Sequence, residues 1–210
     1  MIIDTIVVGS IEENCYLVGE PEAMIVIDPG DEAEKIIKHI NEKNYKVRYV
    51  VLTHCHYDHV GAVHDVLSAT GAELLIGAAE KDNYFDRHVS FCGYFAPKPI
   101  LDEPDKLLKD GDTFTVGNCT FKVITTPGHT SGSLCLLCDD TLFSGDTLFY
   151  LSIGRADFPT GSLKTLIKSI KEKLFTLPDS VVVYPGHGPK TTIGYEKQHN
   201  EVYVWEKHCN

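Results

Sequence analysis

Residues 53–59 read THCHYDH: three histidines and an aspartate within seven positions, directly behind the apolar run Tyr49-Val50-Val51-Leu52. Rings and a carboxylate crowded this closely lose side-chain freedom, and the imidazoles repel once protonated, so the stretch calls for a shared metal ion. The apolar run reads as a strand that carries the cluster at its end. A helix with Val63, Val66 and Leu67 on one face follows.

Working outward, strands and helices alternate along the chain. Early strands are expected at 2–8, 15–18 and 24–27, the last ending in DPGD (28–31), where Asp31 is expected to cap a helix and Glu34 to complete a capping box. That helix carries Ile36, Ile37 and Ile40, and strands follow at 48–52 and 74–76. Residues 80–100 mix aromatic, charged and turn-forming types, which suits a lid or rim with one helical turn. Strands resume at 113–116, 120–125, 133–138 and 141–144. The stretch GSLKTLIKSIKEKLFTLPD (161–179) is an amphipathic helix with Leu163, Leu166, Ile167, Ile170 and Leu174 on one face, ahead of Pro178. A strand at 181–184 and a C-terminal helix over 194–208 complete the pattern. A faint internal echo accompanies it: Asn14 precedes Asp28 by the interval that separates Gly132 from Asp146, with two strands in each interval.

With 210 residues, 43% of them hydrophobic, and no Gly/Ser-rich linker, the chain is expected to form one domain over 1–210 around a substantial core. Thirty acidic against nineteen basic residues give a formal charge of -11, which repels a phosphate polyanion and argues against nucleic acid as a partner. The opening MIIDTIVVGSIEEN has too short an apolar stretch to span a bilayer, lacks a basic n-region and contains Asp4, so no membrane association and a cytoplasmic location are expected. Seven cysteines at scattered spacings fit reduced thiols. Cys135 and Cys138 lie three apart on a strand and should face opposite ways, and Cys55 should point away from His54 and His56.

The remaining metal ligands stand in Gly-flanked turns behind strands: His129 in TTPGHTSGS, Asp146 in LFSGDTLF and His187 in YPGHGP. His54 and His56, two apart on extended chain, aim the same way, whereas Asp58 and His59 start a helix and diverge. The arrangement predicts two adjacent sites, His54, His56 and His129 for one ion and Asp58, His59 and His187 for the other, with Asp146 bridging. Histidine and carboxylate without cysteine suit two divalent ions, Zn²⁺ foremost, with Fe or Mn²⁺ also compatible. His39, His64, His88, His199 and His208 are read as ordinary hydrogen-bonded histidines.

On THCHYDHVGA, TTPGHTSGS, LFSGDTLF and VVVYPGHGPKTTIGYE, the chain resembles the metallo-β-lactamase superfamily over nearly its whole length. The resemblance implies a four-layer αβ/βα sandwich with two mixed β-sheets, and it implies the same seven ligands. VIDPG (26–30) is similar to the superfamily's supporting motif, which would put Asp28 behind the ligands; the other reading of the same stretch is a simple turn at the start of a helix. IGRADFPTGS and PGHGPKTTIGYEKQHN resemble the glyoxalase II-like (hydroxyacylglutathione hydrolase-like) enzymes and their short single-domain relatives, which lack the added helical domain that grips glutathione. Asp146 stands where β-lactamases typically carry cysteine, which speaks against antibiotic hydrolysis as the main activity.

The expected chemistry is hydrolysis of a small-molecule acyl thioester or ester by a metal-bound hydroxide that Asp58 orients. The alternative is a mononuclear iron persulfide dioxygenase, a group similar to this chain in THCHYDH and GRADF. Nuclease or lactonase activity on the same fold is less favoured, and a decayed, non-catalytic site would have lost a ligand, whereas all are present. Arg155 has two readings, a fork for a substrate carboxylate or an ion pair with Asp157. Tyr84, Phe85, Phe91, Tyr94 and Phe95 either wall the pocket or pack the core.

Overall fold

The computed structural model describes residues 1–92, 94 and 102–209, with the side chains of 208 and 209 left aside. Two six-stranded sheets form its frame. The first runs, in spatial order, β1 (Ile2–Val8), β2 (Glu13–Glu20), β3 (Ala23–Ile27), β4 (Val47–Val51), β5 (Glu73–Gly77) and β6 (Lys106–Leu108). Its first three strands pair antiparallel and the rest parallel. The second holds β7 (Thr113–Val116), β8 (Cys119–Thr125), β9 (Leu134–Cys138), β10 (Thr141–Gly145), β11 (Val182–Pro185) and β12 (Thr191–Thr192), also neighbours in chain order. Only the β10–β11 pair is parallel there.

Side-chain alternation decides the layers. In β3, Ile25 and Ile27 meet Phe121, Leu136 and Phe143 of the facing sheet, while Met24 and Val26 point to the opposite side. There they are covered by Ile36 and Ile40 of α1 (Ala33–Lys43) and, after the single turn α2 (Tyr57–Val60), by Val63 and Val66 of α3 (Val63–Thr70). Two short helices, α4 (Lys81–Phe85) and α5 (Arg87–Ser90), follow β5. The outer face of the second sheet is covered by Leu166 and Ile170 of α6 (Leu163–Glu172), Ile193 of α7 (Ile193–His199) and Val202 of α8 (Val202–Cys209). Helix, sheet, sheet, helix is the expected four-layer sandwich with two mixed sheets. Cys135 packs on the outer face and Cys138 between the sheets, so the CxxC splits across the strand as alternation requires.

The faint echo in sequence corresponds to repeated topology. Strands β2 and β3 form an antiparallel pair, α1 follows, and β4 returns parallel to β3; β9, β10, α6 and β11 do the same in the other sheet. Asp28 and Asp146 therefore leave equivalent strand ends.

Several local expectations are corrected. Asp31 and Glu34 form no capping box: α1 starts from Glu32 in the left-handed region (φ 48°), and Asp31 Oδ1 accepts from the Glu32 backbone N–H at 2.6 Å. The C-terminal helix is two helices. Asn200 breaks it, its amide donating to Ser152 O at 2.9 Å and Glu196 Oε2 at 2.7 Å while its Oδ1 caps Val202 N–H at 2.8 Å. The single turn foreseen in 80–100 is α4 and α5, with part of that stretch outside the described residues. Strands β6 and β12 were not foreseen, since Lys106–Leu108 is mostly exposed and β12 has only two residues. No helix among the described residues is long and apolar enough to cross a membrane.

One glycine fixes how the two halves of the first sheet's rim meet. A Cβ on Gly30 would run into the Asp58 carbonyl and lie 2.9 Å from Glu13 Oε2. Gly30→Ala must therefore push α2 away, and it is expected to destabilise the fold by about 1–3 kcal/mol, the usual cost of overpacking. A shift in the denaturant midpoint without a change in slope reads this; an unmoved midpoint contradicts it.

Candidate metal centre

The chemistry-bearing side chains leave the carboxyl ends of β3, β4, β8, β10 and β11, which gather at one rim of the sandwich. His54 and His56 stand on extended chain, His56 with φ -64° and ψ 147°, while Asp58 and His59 sit in the turn of α2. This change of backbone sends the two pairs apart. His129 Nε2 lies 3.2 Å from His54 Nε2 and 2.8 Å from His56 Nδ1, so three ring nitrogens meet at one point. Asp58, His59 and His187 make a second such group, with Asp58 Oδ2 at 3.4 Å from His59 Nε2 and 3.1 Å from His187 Nε2.

Asp146 lies between them. Its Oδ1 is 3.4 Å from His59 Nε2, and its Oδ2 is 3.6 Å from His129 Nε2 and 3.8 Å from His187 Nε2. Such closeness is only possible because position 186 is glycine, where a Cβ would come against Asp146 Oδ1 and lie 2.8 Å from His59 Cε1.

The two groups differ electrically. Burial, reinforced by the neighbouring rings, holds His54 well below the usual imidazole range and His56 down to about 3. At the other pole burial opposes protonation of His59, but the Asp146 and Asp58 carboxylates outweigh it and raise the ring well above its ordinary value. Burial likewise works against ionisation of Asp58 and Asp146, yet His59 pulls the first well below the carboxylate range and the second to about 2. Neutral imidazoles therefore face an acid-rich pole across the Asp146 carboxylate.

Around these groups the chain supplies a supporting layer. Asp28, itself strained at φ 50°, accepts His59 Nδ1–H at 3.0 Å, Thr53 N–H at 2.7 Å and Thr53 Oγ1–H at 2.6 Å. His129 Nδ1 is 2.6 Å from Arg155 O, which turns Nε2 inward. Two supports escaped the sequence reading. Buried Glu80 accepts Cys55 N–H at 3.0 Å, between two of the histidines, and accepts from Asn83, whose amide also reaches Ser131 Oγ at 2.8 Å near His129. Asn14 clamps the His187 turn by donating from Nδ2 to Pro185 O at 3.0 Å and Gly188 O at 2.9 Å and from its backbone to Gly186 O at 2.8 Å. Both contacts join segments far apart in the chain, so local spacing carried no signal for them.

Asn14→Ala is accordingly expected to weaken metal binding in the Asp58/His59/His187 group by about 10–100-fold, the range seen for outer-layer supports, and to spare the other group. Competitive chelator titration measures this, and an unchanged affinity rules the clamp out.

The remaining histidines with described side chains are occupied elsewhere. His39 meets Asp4 Oδ2 at 2.8 Å, His64 meets Asp102 at 3.1 Å, His88 packs near Tyr94 and His199 against Tyr195. Cys55 is buried in the helix-side core, away from the rings. Of the aromatic set, Tyr84 is core, Phe85 and Tyr94 are exposed, Phe95 lies outside the described residues, and Phe91 borders the site. A cavity of about 520 Å³ opens over the two groups, walled by Ile11, Phe91, Phe149 and Phe158, of which Phe149 and Phe158 were not anticipated. Arg155 forks onto Asp157 at 2.9 and 2.7 Å and lies over the Phe158 ring, so its second reading is the one adopted.

Whether these residues suit a cation can be judged from their own unmet bonds. His59 Nε2 and Asp146 Oδ1 are buried without a hydrogen-bond partner, aimed at the same space, and a buried polar atom without a partner is costly. A nitrogen and an oxygen so placed, beside two further ligand types, fit a divalent ion of the Zn, Fe or Mn kind.

The chain belongs to the metallo-beta-lactamase superfamily, whose sequence profile matches residues 9–187. It is 36% identical to the hydroxyacylglutathione hydrolase GloC of Haemophilus influenzae over 95% of this chain and 97% of the relative. Among solved structures it is similar to the BLEG-1 B3 metallo-beta-lactamase, with a TM-score of 0.89 and 35% identity over 95% of this chain and 98% of that one. A di-iron-bound form of TTHA1623 is similar at a TM-score of 0.81 and 34% identity, covering 94% and 98% of the two chains. The superfamily is one of metallo-hydrolases that bind divalent metals, and the histidine and aspartate groups above are where this chain can hold them.

Proposed function

We propose that the protein is a dinuclear metal-dependent hydrolase of thioesters, close in action to hydroxyacylglutathione hydrolases. His54, His56 and His129 would hold one ion and Asp58, His59 and His187 the other, with Asp146 shared between them. Two such ions supply a water acidified toward neutrality and a Lewis acid for the substrate carbonyl. The observation that carries the reading is the Asp146 carboxylate, set between the two ligand groups beneath one cavity.

The chain's own residues do the rest. Asp58 Oδ2 stands at the floor of the cavity within reach of both His59 and His187, where it can accept a proton from the attacking water and fix its direction. Asp28, holding His59 Nδ1–H, keeps that ring in the tautomer that turns Nε2 to the centre. Phe91, Phe149 and Phe158 exclude bulk water and offer an apolar bed for the substrate. Arg155 is exposed beside the cavity and paired with Asp157 at 2.7 Å, so a carrier carboxylate would compete with Asp157 for it.

The test is elemental analysis of protein purified without added metal, combined with hydrolysis of S-lactoylglutathione and of a simple acyl thioester, with a cephalosporin assayed in parallel. About two metals per chain with thioester turnover exceeding cephalosporin turnover is the expected result. One iron per chain, no hydrolysis, and oxygen uptake with a persulfide would overturn it.

A further inference from the structure

We infer that the cavity behind Ser152, Ile153 and Arg155 is a subsite for an uncharged apolar tail of the substrate, an inference that rests on the thioester reading. The cavity holds about 390 Å³ and shares those three residues with the cavity over the metal centre, so the two adjoin along them. Ile153, Ala156, Leu163 and Trp205 give it apolar walls. Its charged members are engaged with one another or with the chain: Arg155 forks onto Asp157, and Glu201 Oε1 accepts from Ser152 Oγ at 2.5 Å. An anionic tail would meet Asp157 and Glu201, with Arg155 already forked onto Asp157, whereas an apolar one would cover Trp205, whose surface is 42% exposed.

The opposite flank makes the contrast. There a cavity of about 500 Å³ touches Tyr57 and Asp58 but is bordered by Asp31, Glu32, Glu34 and Asp65 against the single cation Lys35, surroundings more polar than those around Trp205. An aliphatic chain leaving the scissile group is thus directed toward Trp205. Each methylene it buries should lower KM by about three- to fourfold until the cavity is full.

A thioester has two ends, and the experiment separates them. In one arm the acyl chain is lengthened from acetyl to octanoyl on N-acetylcysteamine; in the other, acetyl thioesters of ethanethiol through octanethiol are compared. KM should fall stepwise in one arm, which names the end that lies in the subsite. Leu163→Asp and, separately, Trp205→Ala should each flatten that slope. Trp205 is the only tryptophan of the chain, so its emission should also shift on titration with 1-octanol, with or without turnover. A KM independent of length in both arms, with unmoved emission, overturns the subsite and leaves thioester hydrolysis standing. A slope that survives both substitutions also overturns it. Absence of turnover for every thioester, with emission still responding to octanol, sinks the hydrolase reading and keeps the subsite.

Discussion

Asp146→Ala is expected to give a folded protein that retains neither metal and shows a fall in hydrolysis of about 10³-fold or more, equivalent to several kcal/mol of transition-state stabilisation. The reason is positional. The carboxylate has one oxygen 3.4 Å from His59 Nε2 and the other 3.6 Å from His129 Nε2, so it addresses both triads at their inward-facing nitrogens. Removing it leaves the imidazole-rich pole without its shared anion, so two cations brought close together would repel with nothing between them. The methyl of alanine keeps the backbone path at the end of β10, so loss of metal should not be confused with loss of fold, and circular dichroism separates the two. Asp146→Asn, which keeps the shape and one acceptor oxygen, should fall between wild type and alanine in metal content. His88→Ala, whose ring packs near Tyr94 outside the centre, serves as the control with full metal. Unchanged turnover in Asp146→Ala would remove the shared carboxylate from the mechanism.

The sequence revealed the layers well because buried strands announce themselves by composition and alternation. Met24 to Ile27 could only be a strand covered on both faces, and Leu166, Ile167 and Ile170 could only be one face of a helix. The groups around the metal centre were legible for a different reason: the H-x-H-x-D-H spacing and the glycine-flanked turns are dictated by close approach, as Gly186 shows. What stayed hidden were contacts made across the fold. Asn14 reaches a turn 171 positions away, and Glu80 reaches Cys55 from the start of a segment that reads as a rim. Neither bond leaves a periodic trace, since each needs only one residue of the right type at a strand or helix end. The capping box failed on a similar point: Asp31 satisfied the pattern, but the left-handed turn at Glu32 moved the helix start one residue on. Asn200 divided the last helix because its amide is recruited by the loop at 149–152, a tertiary demand that overrides a continuous helical pattern.

His187→Ala should separate the two halves of the centre. His187 is the most exposed of the grouped side chains, at 24%, and it approaches only Asp58 and Asp146 among the proposed ligands' carboxylates. The point where His54, His56 and His129 meet does not depend on it. The variant is therefore expected to bind about one metal per chain in place of two and to lose about 10²–10³-fold in turnover, since one ion can still polarise a carbonyl but cannot share in acidifying the water. His129→Ala should leave one metal as well, but in the opposite group. Substituting cobalt and recording the ligand-field spectrum tells the two variants apart, because a set of three histidines with one carboxylate and a set with more carboxylate and fewer histidines give different spectra. A His187→Ala protein with two metals would show that the ring is not a ligand and that the partition must be redrawn around Asp28, which also groups with His54 and His59. A protein with no metal would show that the sites fill only together, in which case the Asn14 clamp on the His187 turn governs loading of both. One metal is the outcome that the geometry supports, because the point where His54, His56 and His129 meet is built without His187.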